Sequence, residues 1–128
     1  MTIARSMLKP QPRFAPYVAE FLGTFALVFA GPGSVAVNAV SDGAVSGVGI
    51  GLSFGLIVMA MIFALGHIPG CHINPAVTIA FAALRRITPR VAAAYVIVQL
   101  AGAVLAGLAI VAIVGDAGDA GATAPRIG

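Results

Sequence analysis

The sequence predicts an all-α membrane protein with three transmembrane helices and one re-entrant half-helix. Of its 128 residues, 60% are hydrophobic and only 9% are charged, too few charges to cover the surface of a water-soluble domain. Three stretches, 21–41, 43–84 and 91–115, carry no charged residue. Because a spanning helix needs about 20 apolar residues, the first and third stretches hold one span each. The second is too long for one span and too short for two.

The first two spans are separated by a short loop. The first should run over about residues 16–40, because Pro16 suits the first turn of a helix, and we expect residues 1–14 to be a disordered cytoplasmic tail. The second span follows at about 47–65. Three glycines recur every four residues along it: Gly47, Gly51 and Gly55. This spacing predicts close packing against another helix in lipid.

A half-helix is predicted after the second span. Residues 66–73, which we call the arm, cannot continue a helix because two glycines and a proline fall within a few residues. Asn74 is suited to cap a new helix and Pro75 to begin it, so a short helix is predicted over 75–84. At about 1.5 Å per residue it is half a membrane thick. Non-helical backbone at membrane depth must be buried in protein or line a wet cavity, so we interpret the arm as re-entrant from the cytoplasmic side.

The last span should cover about residues 89–114, with 116–128 as a flexible tail. Ala103 and Gly107 repeat the four-residue spacing of small residues within it. Basic residues gather before the first span and between the half-helix and the last span: Arg5, Lys9, Arg13, Arg85, Arg86 and Arg90. Three spans place both groups on one side, and the positive-inside rule makes that side the cytoplasm. The N-terminus is then cytoplasmic and the C-terminus outside a plasma (inner) membrane.

The start of the half-helix predicts which kind of solute can pass along the arm. Unpaired N–H groups give a helix N-terminus about half a positive charge, and such a potential inside a pore disfavours cations. Asn74 can cap the helix through its side-chain oxygen and still donate from its NH₂ group. The carbonyl groups of the arm add acceptors. This arrangement favours single-file passage of a neutral, hydrogen-bonding molecule over an ion.

Residues 66–80, Gly-His-Ile-Pro-Gly-Cys-His-Ile-Asn-Pro-Ala-Val-Thr-Ile-Ala, closely resemble the first Asn-Pro-Ala loop of the aquaporin and aquaglyceroporin (major intrinsic protein) family. Residues 19–25 resemble the first helix of that family, and Tyr95 with Gln99 resembles its third. The resemblance covers about residues 16–115, the N-terminal half of a family channel. It implies a passive channel for water or small neutral solutes such as glycerol, assembled as a tetramer. An enzymatic role has no support in the sequence, which shows no nucleophile–base pairing, metal cluster or phosphate loop, and we expect no cofactor.

The resemblance also implies roles for individual residues. Asn74 would donate to the solute, and Pro75 and Ala76 would set the helix start. The carbonyl groups of three arm residues would line the cytoplasmic half of the pore: Gly70, Cys71 and His72. The Cys71 thiol lies three residues before Asn74, so we expect a bulky thiol reagent or mercuric ion to block the channel.

Phe54 matches the position that the second helix contributes to the constriction of the family. A phenylalanine there resembles the narrower, water-selective members, whereas residues 80–86 are nearer to the plant nodulin-like and bacterial branch. The alternative is that Phe54 faces lipid.

Glu20 is an ionisable residue inside a span, which is costly in lipid and usually has a partner. We expect it to hold the arm through His72 or through free backbone N–H groups, with Gln99 as a second brace. The alternative is a solvated Glu20 at the interface. A metal site formed by His67, Cys71 and His72 is not favoured, because all three lie on one bent loop without a nearby carboxylate.

The family forms its pore from two repeats of opposite topology, and no second Asn-Pro-Ala segment occurs in these 128 residues. We therefore expect a truncated coding sequence in preference to a half-channel that pairs with another subunit. The alternative function is a non-conducting membrane module. Nucleic-acid binding is disfavoured because the basic residues flank apolar runs without an aromatic and basic patch.

Overall fold

A computed structural model of the chain describes residues 12–68 and 70–122. Most of the predicted N-terminal tail, Pro69 in the arm and residues 123–128 lie outside the described residues. The described part contains four α-helices and no strand: α1 (Ala15–Val40), α2 (Ser46–Leu65), α3 (Pro75–Ala83) and α4 (Pro89–Val114). A short 3₁₀ helix, Asp116–Gly121, follows α4.

Three of these helices, α1, α2 and α4, are long and apolar enough to cross a membrane. Large apolar side chains on them point outward, such as Phe63, which is 83% exposed, and Val48, which is 75% exposed. Lipid is the solvent in which such exposure costs nothing, because acyl chains are as apolar as these side chains. The predicted fold class, an all-α membrane protein with three spans and a shorter fourth helix, is confirmed.

Helices α1 and α4 lie side by side and run in the same direction. The rings of Tyr17 and Tyr95 meet edge to face near both N-termini, with centroids 5.5 Å apart. Gly33 faces Ile110 near both C-termini. Helix α2 runs back along α1, where the Ser53 hydroxyl donates to the carbonyl oxygen of Ala30 at 3.2 Å. The half-helix α3 packs on α4.

The close packing expected at the glycines of α2 is not present, and that prediction is wrong for the described chain. A Cβ atom on Gly47, Gly51 or Gly55 would meet nothing within 4 Å, and the same holds for Gly107 in α4. Helix α2 has no buried residue and, among the described helices, packs against α1 alone. Spacing identifies a helix face that allows close approach, but it does not identify which neighbour covers that face.

Close approach occurs at other glycines. A Cβ atom on Gly102 would lie 2.5 Å from the carbonyl oxygen of Phe21, so α1 and α4 cross where α4 has no side chain. Gly31 of α1 leaves room in the same way for the ring of Phe54.

Residues 116–121 differ from the flexible tail that was expected. They form the 3₁₀ helix, which packs against α1 so closely that a Cβ atom on Gly121 would overlap the carbonyl group of Pro32. Gly121 also has a φ of +75°, a conformation that glycine adopts at little cost. A Gly-, Ala- and Asp-rich segment carries no apolar period, so its composition indicated a loop.

The described charges separate along the long axis of the bundle. Because α1 and α4 are parallel, their N-termini share one end, which carries Arg13, Arg85, Arg86 and Arg90. The opposite end carries Asp42, Asp116 and Asp119. The remaining charged group, Glu20, lies between the ends and is completely buried.

Candidate functional site

The arm between α2 and α3 has an unusual backbone. Gly70, Cys71 and Ile73 all have positive φ angles, of +117°, +50° and +45°. At Gly70 this conformation leaves no room for a side chain, since a Cβ atom would lie 2.9 Å from Oε1 of Glu20. A β-branched residue such as Ile73 rarely adopts a positive φ, and the strain costs about 1–3 kcal/mol. The arm therefore needs external support.

Glu20 supplies that support from α1. Its Oε1 accepts the backbone N–H of His72 at 2.7 Å, and its Oε2 accepts the backbone N–H of Ile73 at 2.7 Å. Hydrogen bonds to a charged group contribute about 1.5–3 kcal/mol each, so two of them offset the strain at Ile73. The solvated placement at the interface does not hold, because Glu20 has no exposed surface.

Gln99 of α4 contacts the same carboxylate. Its Nε2 group donates to Oε2 of Glu20 at 2.7 Å and to Oγ1 of Thr78 at 2.9 Å. Gln99 is fully buried, and its Oε1 atom has no hydrogen-bond partner among the described residues. The Gln99 side chain thus joins α1 to the half-helix α3 through the two hydrogen bonds that its NH₂ group donates.

Thr78 is the residue of this network that sequence reasoning missed. It is fully buried on α3, and its hydroxyl donates to the carbonyl oxygen of Asn74 at 3.1 Å. A hydroxyl has one hydrogen and two acceptor positions, so Thr78 accepts both from Gln99 and from Nδ1 of His72, 3.1 Å away. Because the Thr78 hydroxyl donates its only hydrogen to Asn74, the His72 ring must be the donor, and its hydrogen is assigned to Nδ1. The available signal was its position one helical turn after the cap, where a buried hydroxyl needs partners.

Asn74 begins α3 as its cap. Its backbone is extended, and its Oδ1 accepts the N–H of Ala76 at 2.8 Å. Pro75 follows as the first helical residue and has no N–H to satisfy. Asn74 is exposed, and its NH₂ group has no partner within residues 12–68 and 70–122.

The carbonyl groups of residues 70–73 accept no hydrogen bond from the described part of the chain. The N–H groups of His72 and Ile73, by contrast, are both used by Glu20. The arm therefore turns its donors toward the buried carboxylate and leaves its acceptors unused. Along the chain, these four carbonyl groups form a row of acceptors that ends at Asn74 with its free NH₂ donor.

The remaining predicted site residues have different surroundings. The Cys71 thiol is half-buried and lies 3.8 Å from the carbonyl oxygen of Met61 in α2. The His72 ring packs against Phe81, with centroids 4.6 Å apart. Phe54 is half-buried, and its ring fills the space beside Gly31 of α1. Among the described residues no group of three or more His, Cys, Asp or Glu side chains could hold a metal ion.

These features define an all-α membrane protein in which a half-helix with an Asn-Pro-Ala start is held against two long helices by buried polar side chains. The family model described as "Major intrinsic protein" matches residues 8–126. The chain belongs to that family, which confirms the resemblance seen in the sequence.

Individual relatives show the same similarity. Aquaporin NIP1-1 of Arabidopsis thaliana is 50% identical over 95 residues, which cover 74% of this chain and 32% of that protein. Aquaporin NIP1-1 of Zea mays is 45% identical over 101 residues, covering 79% of this chain and 36% of the relative. Aquaporin NIP6-1 of Arabidopsis thaliana is 43% identical over 110 residues, covering 86% and 36%. The chain spans about a third of the length of these curated relatives.

Proposed function

We propose that this chain contributes one wall of a passive channel for water or small neutral solutes such as glycerol. The observation that carries the proposal is that the carbonyl oxygens of residues 70–73 and the NH₂ group of Asn74, which follows them in the chain, all have no described hydrogen-bond partner. A molecule with both donors and acceptors can replace its water contacts one at a time along such a row. The names of the matched relatives, all aquaporins, support the same function.

The electrostatics of the wall favour neutral solutes. The N-terminus of α3 carries a partial positive charge of about half a unit, which repels cations. The charge of Glu20 does not compensate for this at the open side, because the carboxylate is buried and accepts hydrogen bonds from His72, Ile73 and Gln99. An anion would have to give up its hydration shell for few donors. We therefore assign the site to uncharged, hydrogen-bonding molecules and to no enzymatic reaction.

The charge distribution supports an orientation in a plasma (inner) membrane. Arginines at one end and aspartates at the other match the positive-inside rule. In the proposed orientation the N-termini of α1 and α4 lie at the cytoplasmic face and the 3₁₀ helix lies outside. In the same orientation the arm enters from the cytoplasmic side.

The described residues form only one side of the proposed pore. The open side of the arm needs a further protein surface, because backbone carbonyl groups without partners are costly against lipid. That surface can come from a second inverted half or from other subunits, with the family tetramer as the expected assembly. The uncovered glycine face of α2, at Gly47, Gly51 and Gly55, also favours the second candidate function, a non-conducting module that binds other membrane subunits.

Osmotic flux separates the two functions. The protein is reconstituted into liposomes, and stopped-flow light scattering measures water and glycerol entry against protein-free liposomes. Asn74→Asp keeps an acceptor for the Ala76 N–H but removes the free donor. Loss of one hydrogen bond of about 1 kcal/mol predicts a roughly fivefold lower flux.

The matched control is Asn38→Asp. Asn38 also accepts a backbone N–H, that of Ser46 at 2.9 Å, but at the far end of α1, so its replacement should leave flux unchanged. Flux equal to that of protein-free liposomes, from protein that remains helical and monodisperse, would favour the non-conducting module. Equal losses in both variants would contradict the role of Asn74.

A further inference from the structure

A second polar surface lies at the far end of α3 from the arm. There a cavity of about 630 Å³ is lined by Arg85, Arg86 and Thr88 together with small apolar residues. Its size falls within the range of about 300–1,000 Å³ that is typical of small-molecule sites. We call it the arginine cleft. None of its lining residues belongs to the network around Glu20.

The arginines of the cleft are not needed to end α3. The carbonyl oxygens of Ala82 and Phe81 accept the backbone N–H groups of Arg85 and Arg86, each at 2.9 Å. These two bonds form a Schellman motif, in which Arg85 takes the left-handed position with a φ of +55°. Backbone groups therefore cap the helix, and the guanidinium groups have no capping role.

No described carboxylate lies near the cleft to neutralise it. Glu20 is buried and engaged at the arm, while the described aspartates lie in the loop after α1 and in the 3₁₀ helix, at the opposite end of the bundle. Arg85, Arg86 and the neighbouring Arg90 are all exposed. The cleft therefore presents a concentrated positive charge that invites an anion.

Apolar side chains adjoin this charge. Leu84, the C-cap residue of α3 that directly precedes Arg85, is 71% exposed, and Ile79 on α3 is 61% exposed. A ligand that matches both parts has an anionic head and an apolar tail. Arginine suits phosphate because its planar fork makes two parallel hydrogen bonds.

We propose that the arginine cleft binds the phosphate headgroup of an anionic phospholipid, whose acyl chains lie along the exposed apolar face of α3. The proposal rests on the placement of the protein in a membrane and is independent of solute conduction. Two arginines near a membrane surface correspond to roughly thirtyfold in affinity for anionic lipid.

Native mass spectrometry tests this with the full chain in non-ionic detergent, titrated with phosphatidylglycerol or with phosphatidylcholine. The variant is Arg85→Gly with Arg86→Gln, because glycine accepts the left-handed position at 85 without strain. Circular dichroism checks that this variant remains folded. The control, Arg13→Gln, removes an arginine at the same end of the bundle but outside the cleft.

We expect phosphatidylglycerol to bind more tightly than phosphatidylcholine and the double variant to bind it about thirtyfold more weakly. Arg13→Gln should weaken binding by no more than about fivefold, the contribution of one arginine near the surface. Equal binding of the two lipids would overturn the proposal, and so would an equal loss in the Arg13→Gln control. Inorganic phosphate that displaces the lipid at equal concentration would identify a free-anion site instead. Flux is not measured in this experiment, so failure of the channel function leaves its result unaffected.

Discussion

The replacement Glu20→Gln tests whether one buried carboxylate holds the arm in place. Glu20 has no exposed surface and accepts three N–H groups, from His72, Ile73 and Gln99, each at 2.7 Å. Glutamine has a similar shape but offers only one acceptor oxygen. Whichever way its amide is turned, the NH₂ group faces at least one N–H donor. At least one hydrogen bond is therefore lost and a buried donor is left unpaired.

The magnitude follows from this loss. A hydrogen bond to a charged group contributes about 1.5–3 kcal/mol, and the two that remain become weaker when the charge is removed. Burying a neutral amide costs less than burying a carboxylate, which offsets part of that weakening. We expect a net loss of about 2–3 kcal/mol in the free energy of unfolding, a large share of the 5–15 kcal/mol typical of a folded domain.

Thr24→Val is the matched control. Thr24 lies one turn further along α1, is 4% exposed, and its hydroxyl has no hydrogen-bond partner among the described residues. Removing an unpaired buried hydroxyl should leave stability unchanged or slightly higher. Both variants replace a buried polar residue of α1. They differ in the hydrogen bonds that they break, since Glu20 accepts three and the Thr24 hydroxyl has none among the described residues.

Unfolding by sodium dodecyl sulfate in mixed micelles measures the stability change, and hydrogen–deuterium exchange locates it. The amides of His72 and Ile73 should exchange roughly 30- to 150-fold faster in Glu20→Gln, because their opening is no longer opposed by the carboxylate. The reasoning is refuted if Glu20→Gln unfolds like Thr24→Val while exchange at these two amides is unchanged.

Three further predictions concern packing and access. Gly102→Ala should destabilise the protein by about 1–3 kcal/mol in the same unfolding assay, because the added Cβ meets the backbone of α1. Gly107→Ala, in open space on the same helix, should stabilise it by up to about 1 kcal/mol. Equal effects of the two replacements would contradict the helix crossing. Gly121→Ala should release the 3₁₀ helix from α1, since both its φ of +75° and its close contact exclude a side chain, and faster proteolysis after residue 115 would report this. A mercurial should react slowly with the half-buried Cys71 thiol beside Met61 and block flux in a working channel preparation. Cys71→Ser is the unreactive control. Unchanged flux after complete labelling would contradict the placement of Cys71 beside the pore.

Several local features followed from chemistry that acts over a few residues. The prediction of a break after α2 and of a new helix at Pro75 rested on glycine, proline and a capping asparagine, whose preferences are set by their own backbones. The interpretation of Glu20 rested on the cost of an unpartnered charge in lipid, and the structure places this residue against the backbone N–H groups of His72 and Ile73.

Other features depend on which surfaces meet, and sequence reasoning did not identify them. Thr78 belongs to the network because α1 and α4 bring Glu20 and Gln99 to the same face of α3. The glycines that allow close approach are those opposite another backbone or a bulky side chain, as Gly102 is, and regular spacing gave no information about this.

The sequence by itself determined that lipid surrounds this protein, how many spans it has and where its half-helix starts. Apolar length, helix breakers and capping all act locally along the chain. Tertiary structure alone decided which N–H groups donate to the carboxylate of Glu20. It also decided that the carbonyl groups of residues 70–73 have no donor among the described residues, and that the 3₁₀ helix packs on α1. Those outcomes depend on distances of a few ångströms between residues up to 79 positions apart, and only the packing of the helices sets such distances.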